Sequence, residues 1–191
     1  MDEEKIETDV AVDDPQQALS ELAKLTEHPQ EDSFLPGDVR SDQLFVYDEL
    51  LSPSVISRYL SHPRQGIIAR MPMHRLVFPK FFPPRNSGLA SIVRSRVRDD
   101  SVWGITFDLA GQDLKRLDHY KGVPNRYHMR AVVVVDRGGR KSVAMTYVIS
   151  APDEEPSRPS KELLKLIVEG ARTRNLPEDY VKMLRELETL D

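Results

Sequence analysis

The sequence contains no cysteine, so it has no disulfide framework, no thiol nucleophile and no thiolate metal site. Long hydrophobic runs are also absent: the longest are the length of a strand, as at residues 131–135, and far too short to span a membrane. The N-terminal residues are acidic and lack the apolar segment of a secretory signal. These features predict a cytoplasmic protein without a membrane span.

Charge is distributed unevenly along the chain. Residues 1–40 contain twelve acidic and three basic side chains, which gives −9 and leaves +5 for the remainder of a chain whose net charge is −4. This positive charge forms no clustered stripe and accompanies no nucleic-acid motif, so we predict no nucleic-acid binding. His119 and His128 have no third ligand at metal spacing, and we predict neither a metal nor a cofactor.

Residues 1–42 are predicted to form an acidic, partly disordered leader. Within it, Asp14, Pro15 and Gln17 form a helix start, with an N-cap, a first-turn proline and a capping-box glutamine. The resulting helix within residues 14–28 is short and amphipathic, with Leu19 and Leu22 on one face. Because such a helix is marginal alone, we expect it to dock on the domain or on a protein partner.

Residues 43–191 are predicted to form one α+β domain. The proline-rich loop at residues 79–86 is expected to be a packed loop, with a pocket lid or a partner seat as alternatives. Strands predominate in the middle of the chain, between helical insertions of unequal length, which favours α+β over alternating βαβ units. The strands are predicted at residues 44–47, 66–71, 73–78, 88–93, 102–109, 129–135 and 142–149, and the helices after Ser52, at 113–120, after Ser160 and after Pro177.

Four motifs occur in a characteristic order: LFVYDELL at 44–51, GLASIV with SVWGI at 88–105, LKRLDHYKGVPNRY at 114–127, and a GA…LPEDY segment at 170–180. Over residues 43–190 the sequence resembles the gamma-glutamylcyclotransferase-like family. The resemblance implies a small, mixed, barrel-like sheet with flanking helices. It also implies the family reaction, in which the α-amine of a gamma-glutamyl compound attacks its own side-chain carbonyl, releasing an amine and 5-oxoproline.

The sequence departs from this family at two places. The resemblance places Lys121 at the catalytic glutamate, which transfers a proton, and places Asp48 and Glu49 at the Gly-Ser/Thr pair of the substrate-binding turn. A protonated lysine cannot accept that proton. We therefore predict that Lys121 pairs with Asp48 or Glu49 and that the pair fills or remodels the pocket. The alternatives are that Lys121 complements the helix dipole and that both acids are inert, solvent-facing turn residues.

The candidate ligand-binding residues are five positions around this pocket: Tyr47, Asp48, Glu49, Leu50 and Tyr127. The sequence predicts a small-ligand-binding or regulatory module for a gamma-glutamyl or related amide or carboxylate ligand, without standard cyclotransferase activity. A first alternative is an active gamma-glutamyl-amine cyclotransferase in which Glu49 substitutes for the missing base. A second alternative uses Lys121 as a desolvated amine nucleophile.

Overall fold

A computed structural model describes residues 41–61 and 66–190. The helix predicted within residues 14–28 lies outside the described residues, so its expected docking on the domain or on a protein partner stays a prediction. The leader and domain boundary near residue 42 therefore stays a prediction.

The described part of the chain contains seven strands: β1 (Gln43–Val46), β2 (Ile67–Pro72), β3 (His74–Phe82), β4 (Ser87–Arg94), β5 (Ser101–Asp108), β6 (Tyr127–Asp136) and β7 (Lys141–Ile149). Five of them close into a barrel in the order β1-β5-β2-β6-β7. All neighbouring pairs are antiparallel except β1 and β7, whose parallel contact closes the barrel. The other two strands, β3 and β4, form a separate antiparallel ribbon.

The strands form where apolar and β-branched residues are concentrated. In the β6–β7 hairpin, for example, Val132 is paired with Ala144, and both are fully buried. The hairpin turn contains Gly139 at a φ of +82°, a left-handed conformation that glycine adopts without steric cost. Apolar side chains from the barrel and the packed helices form one continuous core.

Within residues 41–61 and 66–190, four helices flank the strands: α1 (Pro53–Ile56), α2 (Gly111–Lys121), α3 (Lys161–Thr173) and α4 (Glu178–Arg185). Helix α3 begins at a Ser160 cap, whose hydroxyl accepts a hydrogen bond from the Leu163 backbone N–H at 3.2 Å. Gly170 lets this helix approach the chain after β1, since a Cβ there would lie 2.6 Å from the Ser52 nitrogen. Helix α3 thus supports the turn that carries Asp48 and Glu49.

The predicted α+β fold is confirmed, with local corrections. The helix predicted after Ser52 has only four residues, and a 3₁₀ turn, Glu49–Leu51, precedes it. Strand β3 extends to Phe82, into the predicted loop, because its last residues pair with β4, as Lys80 does with Leu89. The chain after β7 also hydrogen-bonds to this part of β3: the Asp153 N–H donates to the Pro79 carbonyl at 2.8 Å. Such distant backbone pairing leaves no local sequence signal.

Candidate functional site

Two chain segments meet at the candidate site: the turn after β1 and the last residue of α2. Asp48 caps the 3₁₀ turn, and its Oδ1 accepts a hydrogen bond from the Leu50 backbone N–H at 3.0 Å. Its φ of −108° is ordinary for a residue with a side chain, so aspartate occupies the position without backbone strain. Lys121 ends α2, and Gly122 follows at a φ of +70° as a left-handed helix terminator.

The Lys121 ammonium bridges both acidic side chains of the turn. Its Nζ lies 2.5 Å from Asp48 Oδ2 and 3.0 Å from Glu49 Oε1. All three residues are buried, with 1%, 2% and 4% of the surface of Lys121, Asp48 and Glu49 exposed. The predicted pairing is confirmed, and it involves both carboxylates. The alternative of solvent-facing, inert turn acids is wrong. We call these three residues the ion cluster.

Two further side chains hold Glu49 from the solvent side. The Tyr120 hydroxyl donates to Glu49 Oε1 at 3.0 Å, and Arg85 Nη1 lies 3.5 Å from the same oxygen. Arg85 Nη2 also donates to the Tyr120 hydroxyl at 3.1 Å. Arg85 is the most exposed member of this group, with 39% of its side chain accessible. Glu49 therefore receives hydrogen bonds from three side chains.

Burial and pairing set the protonation of the ion cluster. Burial disfavours the charge on Lys121, but Asp48 and Glu49 outweigh burial and raise the pKa of Lys121 above its usual value. Burial likewise raises the pKa of Glu49, but the charge and hydrogen bond of Lys121 outweigh it and lower that pKa to about 2. The pKa of Asp48 is raised by burial and by the adjacent Glu49 charge. At neutral pH, Lys121 is cationic and Glu49 is anionic.

A shallow depression lies on the solvent side of the ion cluster. Its volume of about 10 Å³ is room for roughly one water molecule. Of the predicted site residues, three line this depression: Glu49, Lys121 and Tyr127. Tyr47, Asp48 and Leu50 do not line it, and Leu50 belongs to the buried core. The lining residues are Glu49, Phe82, Arg85, Leu89, Tyr120, Lys121, Arg126 and Tyr127.

Comparisons with known proteins agree with this fold. A model of the AIG2-like family matches residues 101–184, which include Lys121 but not the turn after β1. Gamma-glutamylcyclotransferases of human and mouse are 29% and 28% identical over 56% and 54% of this chain. Those alignments span 55% and 53% of the relatives, so the chain spans about half the length of the curated proteins it matches.

Solved structures extend the similarity to most of the domain. A structure named gamma-glutamyl cyclotransferase superposes with a TM-score of 0.71 at 26% identity, over 78% of this chain and 89% of that one. A human protein superposes over the same shares with a TM-score of 0.68 and 26% identity. The chain is thus similar to gamma-glutamylcyclotransferases in sequence and in fold.

The Tyr47 and Tyr127 hydroxyls at the candidate site donate hydrogen bonds to backbone carbonyls of the protein itself. The Tyr127 ring centre lies 4.8 Å from Lys121 Nζ, a cation–π contact, and its hydroxyl donates to the Ala90 carbonyl at 3.0 Å. The Tyr47 hydroxyl donates to the Tyr147 carbonyl at 2.6 Å. The Asp118 carboxylate accepts a hydrogen bond from the Tyr147 hydroxyl at 2.8 Å. The structure thus gives Tyr47 and Tyr127 structural partners at the positions predicted for ligand contact.

Three functional candidates were missed by sequence reasoning: Arg85, Tyr120 and Arg126. Arg126 Nε donates to the Lys121 carbonyl at 2.9 Å and Nη2 to the Tyr120 carbonyl at 2.5 Å, which fixes the end of α2. Its guanidinium also stacks over Phe82, 4.8 Å from the ring centre. Tyr120 and Arg126 lie within the LKRLDHYKGVPNRY motif, and Arg85 lies in the loop considered as a lid. No residue pattern showed that the three converge.

Among residues 41–61 and 66–190, no group of histidine, aspartate or glutamate side chains is arranged to hold a metal ion. In the same part of the chain, no helix has the length and hydrophobicity needed to cross a membrane.

Proposed function

We propose that this chain has lost the cyclisation chemistry of its relatives and acts as a small-ligand-binding or regulatory module on a cyclotransferase fold. The observation that carries the proposal is the buried ion pair between Lys121 and the two turn carboxylates. Forming 5-oxoproline requires a group that takes a proton from an ammonium and returns it to the leaving amine. Lys121 stands at the position that the family resemblance assigns to that group.

The protonation of Lys121 supports the proposal. A general base needs a free lone pair at working pH, whereas the raised pKa of Lys121 keeps its amine protonated. The same protonation disfavours Lys121 as a nucleophile, because an ammonium has no electron pair with which to attack. Two carboxylates hold the proton on this amine through direct hydrogen bonds.

The environment of Glu49 disfavours the active-enzyme alternative. A general base and acid works best with a pKa near the working pH, but the pKa of Glu49 is lowered to about 2. Its Oε1 already accepts hydrogen bonds from Lys121, Tyr120 and Arg85, so a substrate ammonium must compete with three donors. Asp48, the other carboxylate, is buried and does not line the depression.

The size of the depression also supports loss of cyclisation. A water-sized space does not admit a gamma-glutamyl group, whose carboxylate, amine and side-chain carbonyl must all be held for ring closure. The proposal includes the cytoplasmic location predicted from the sequence. It also includes a small ligand with a carboxylate or amide group.

The proposal is tested by incubating the protein with gamma-glutamyl-alanine, glutathione and gamma-glutamyl-lysine and measuring 5-oxoproline. A gamma-glutamylcyclotransferase serves as the positive control. We expect no 5-oxoproline above the rate of the uncatalysed reaction with any of the three. Turnover that disappears in Glu49→Gln would overturn the proposal and establish Glu49 as a substitute base.

A further inference from the structure

The depression beside the ion cluster has an excess of positive charge. Three cations line it, Arg85, Lys121 and Arg126, against the single carboxylate of Glu49. Counting the deeper Asp48 as fully ionised still leaves a formal balance of +1. Arg126 forms no salt bridge among the described residues, because the two hydrogen bonds of its guanidinium go to carbonyl oxygens. One anion would therefore balance the site.

The cation best able to engage such an anion is Arg85. Its side chain is 39% exposed, and its contact with Glu49, at 3.5 Å, is long for a charged hydrogen bond. Glu49 keeps Lys121 and Tyr120 as donors when Arg85 turns away. Moving Arg85 consequently leaves no buried carboxylate unpaired. The planar guanidinium of Arg85 can donate hydrogen bonds to two oxygens of one ligand.

We infer that Arg85 and Arg126 form a binding site for the carboxylate group of a small organic acid. With Arg85 against Glu49 the space is water-sized, so the carboxylate end enters as Arg85 turns from Glu49 to the ligand, and the remainder of the acid stays in solvent beside Phe82 and Tyr120. This inference rests on the proposed function, because it names the ligand class of the binding module. It involves no bond making or breaking.

The experiment is a titration of the full-length protein with sodium acetate, followed by NMR of the arginine Nε–Hε resonances. A parallel titration with sodium chloride, at equal sodium concentration, distinguishes a carboxylate site from a general halide or ionic-strength effect. We expect saturable shifts of the Arg85 and Arg126 resonances with acetate, and weaker, non-saturating shifts with chloride.

Two variants and one control locate the site. Arg85→Gln and Arg126→Gln should each weaken acetate binding about tenfold or more, since each removes a charged hydrogen-bond donor. Arg140→Gln, an exposed arginine in the β6–β7 turn, should bind as the unmodified protein does. Far-ultraviolet circular dichroism checks that each variant is folded. If Arg126→Gln does not fold, acetate binding by Arg85→Gln alone tests the inference.

The inference is overturned by the absence of saturable shifts, by equal responses to acetate and chloride, or by Arg85→Gln binding acetate normally. Measuring 5-oxoproline formation from gamma-glutamyl-alanine on the same preparation separates the two proposals. Formation of 5-oxoproline would contradict the proposed function, whether or not acetate binds. Lack of acetate binding without turnover would overturn the carboxylate site alone.

Discussion

The Lys121 ammonium lies 3.0 Å from Glu49 Oε1, and both side chains are shielded from solvent within the core. Charges removed from water in this way are tolerated only when each has a partner. The pair therefore links the end of α2 to the turn after β1, and removing Lys121 takes away the buried cation that Asp48 and Glu49 share. The predictions below follow from this dependence.

Replacing Lys121 by methionine should destabilise the protein by about 3–5 kcal/mol, because it leaves two buried carboxylates without their cation. Urea unfolding at neutral pH measures the change. The matched control is Lys165→Met, which removes an exposed lysine facing Glu169 one helical turn away and should change stability by about 0.5 kcal/mol at most. Equal losses in the two variants would contradict a structural role for the ion cluster.

A second change at Glu49 should offset part of that loss. In Lys121→Met/Glu49→Gln, one of the two carboxylates that lack Lys121 becomes neutral. The double variant should therefore lose less stability than the two single variants lose in sum, by at least about 1 kcal/mol. A double-mutant cycle by urea unfolding gives this coupling energy. Strict additivity would mean that the two side chains do not interact in solution.

Stability should fall in acid through Glu49. Its pKa is about 2 in the folded protein against an ordinary 4.5, so the ionised carboxylate stabilises the fold above the higher value, and this stabilisation disappears as pH falls toward the lower one. The raised pKa of Asp48 acts in the opposite sense, because its protonation favours the folded state. We compare unfolding free energies of the unmodified protein and Glu49→Gln from about pH 6 to about pH 2. The unmodified protein should lose more stability over this range, and parallel profiles would contradict the assignment.

Gly122→Ala should destabilise the protein by about 1–2 kcal/mol. Its φ of +70° is unfavourable for alanine, and a Cβ would lie 3.1 Å from the Arg126 guanidinium. Gly111→Ala is the matched control at the other end of α2, where a Cβ would meet no atom within 4 Å. Thermal unfolding should show a lower midpoint for the first variant and little change for the second. The reverse order would argue against this helix end as the support for Lys121.

The sequence predicts the fold well because its signals are local. The Ser160 cap acts within a few positions of the helix it starts and is present as expected, and Gly122 likewise ends α2 through its own backbone conformation. The pairing of Lys121 with Asp48 or Glu49 was predicted from the family resemblance. The resemblance places a base and two acids at positions of one pocket where the family has other residues.

The remaining features of the site depend on long-range packing that no local pattern encodes. Arg85 reaches Glu49 from the end of the β3–β4 ribbon, 36 positions along the chain. Strand β3 extends into the predicted loop by pairing with β4, and the distant Asp153 hydrogen-bonds to its Pro79 carbonyl. Leu50 was predicted to contact ligand, but the 3₁₀ turn directs it into the core, and only tertiary structure determines which way that turn faces.

The central claim is tested most directly by 5-oxoproline release from gamma-glutamyl-alanine, measured side by side for the unmodified protein and Asp48→Gly/Glu49→Ser/Lys121→Glu. The triple variant returns all three positions to the residue types of the family and avoids the three buried carboxylates that Lys121→Glu alone would create. We predict that the unmodified protein releases no 5-oxoproline above the uncatalysed rate, and that the folded triple variant exceeds this background rate about 10²–10⁴-fold. Turnover by the unmodified protein that the triple substitution abolishes would contradict the account.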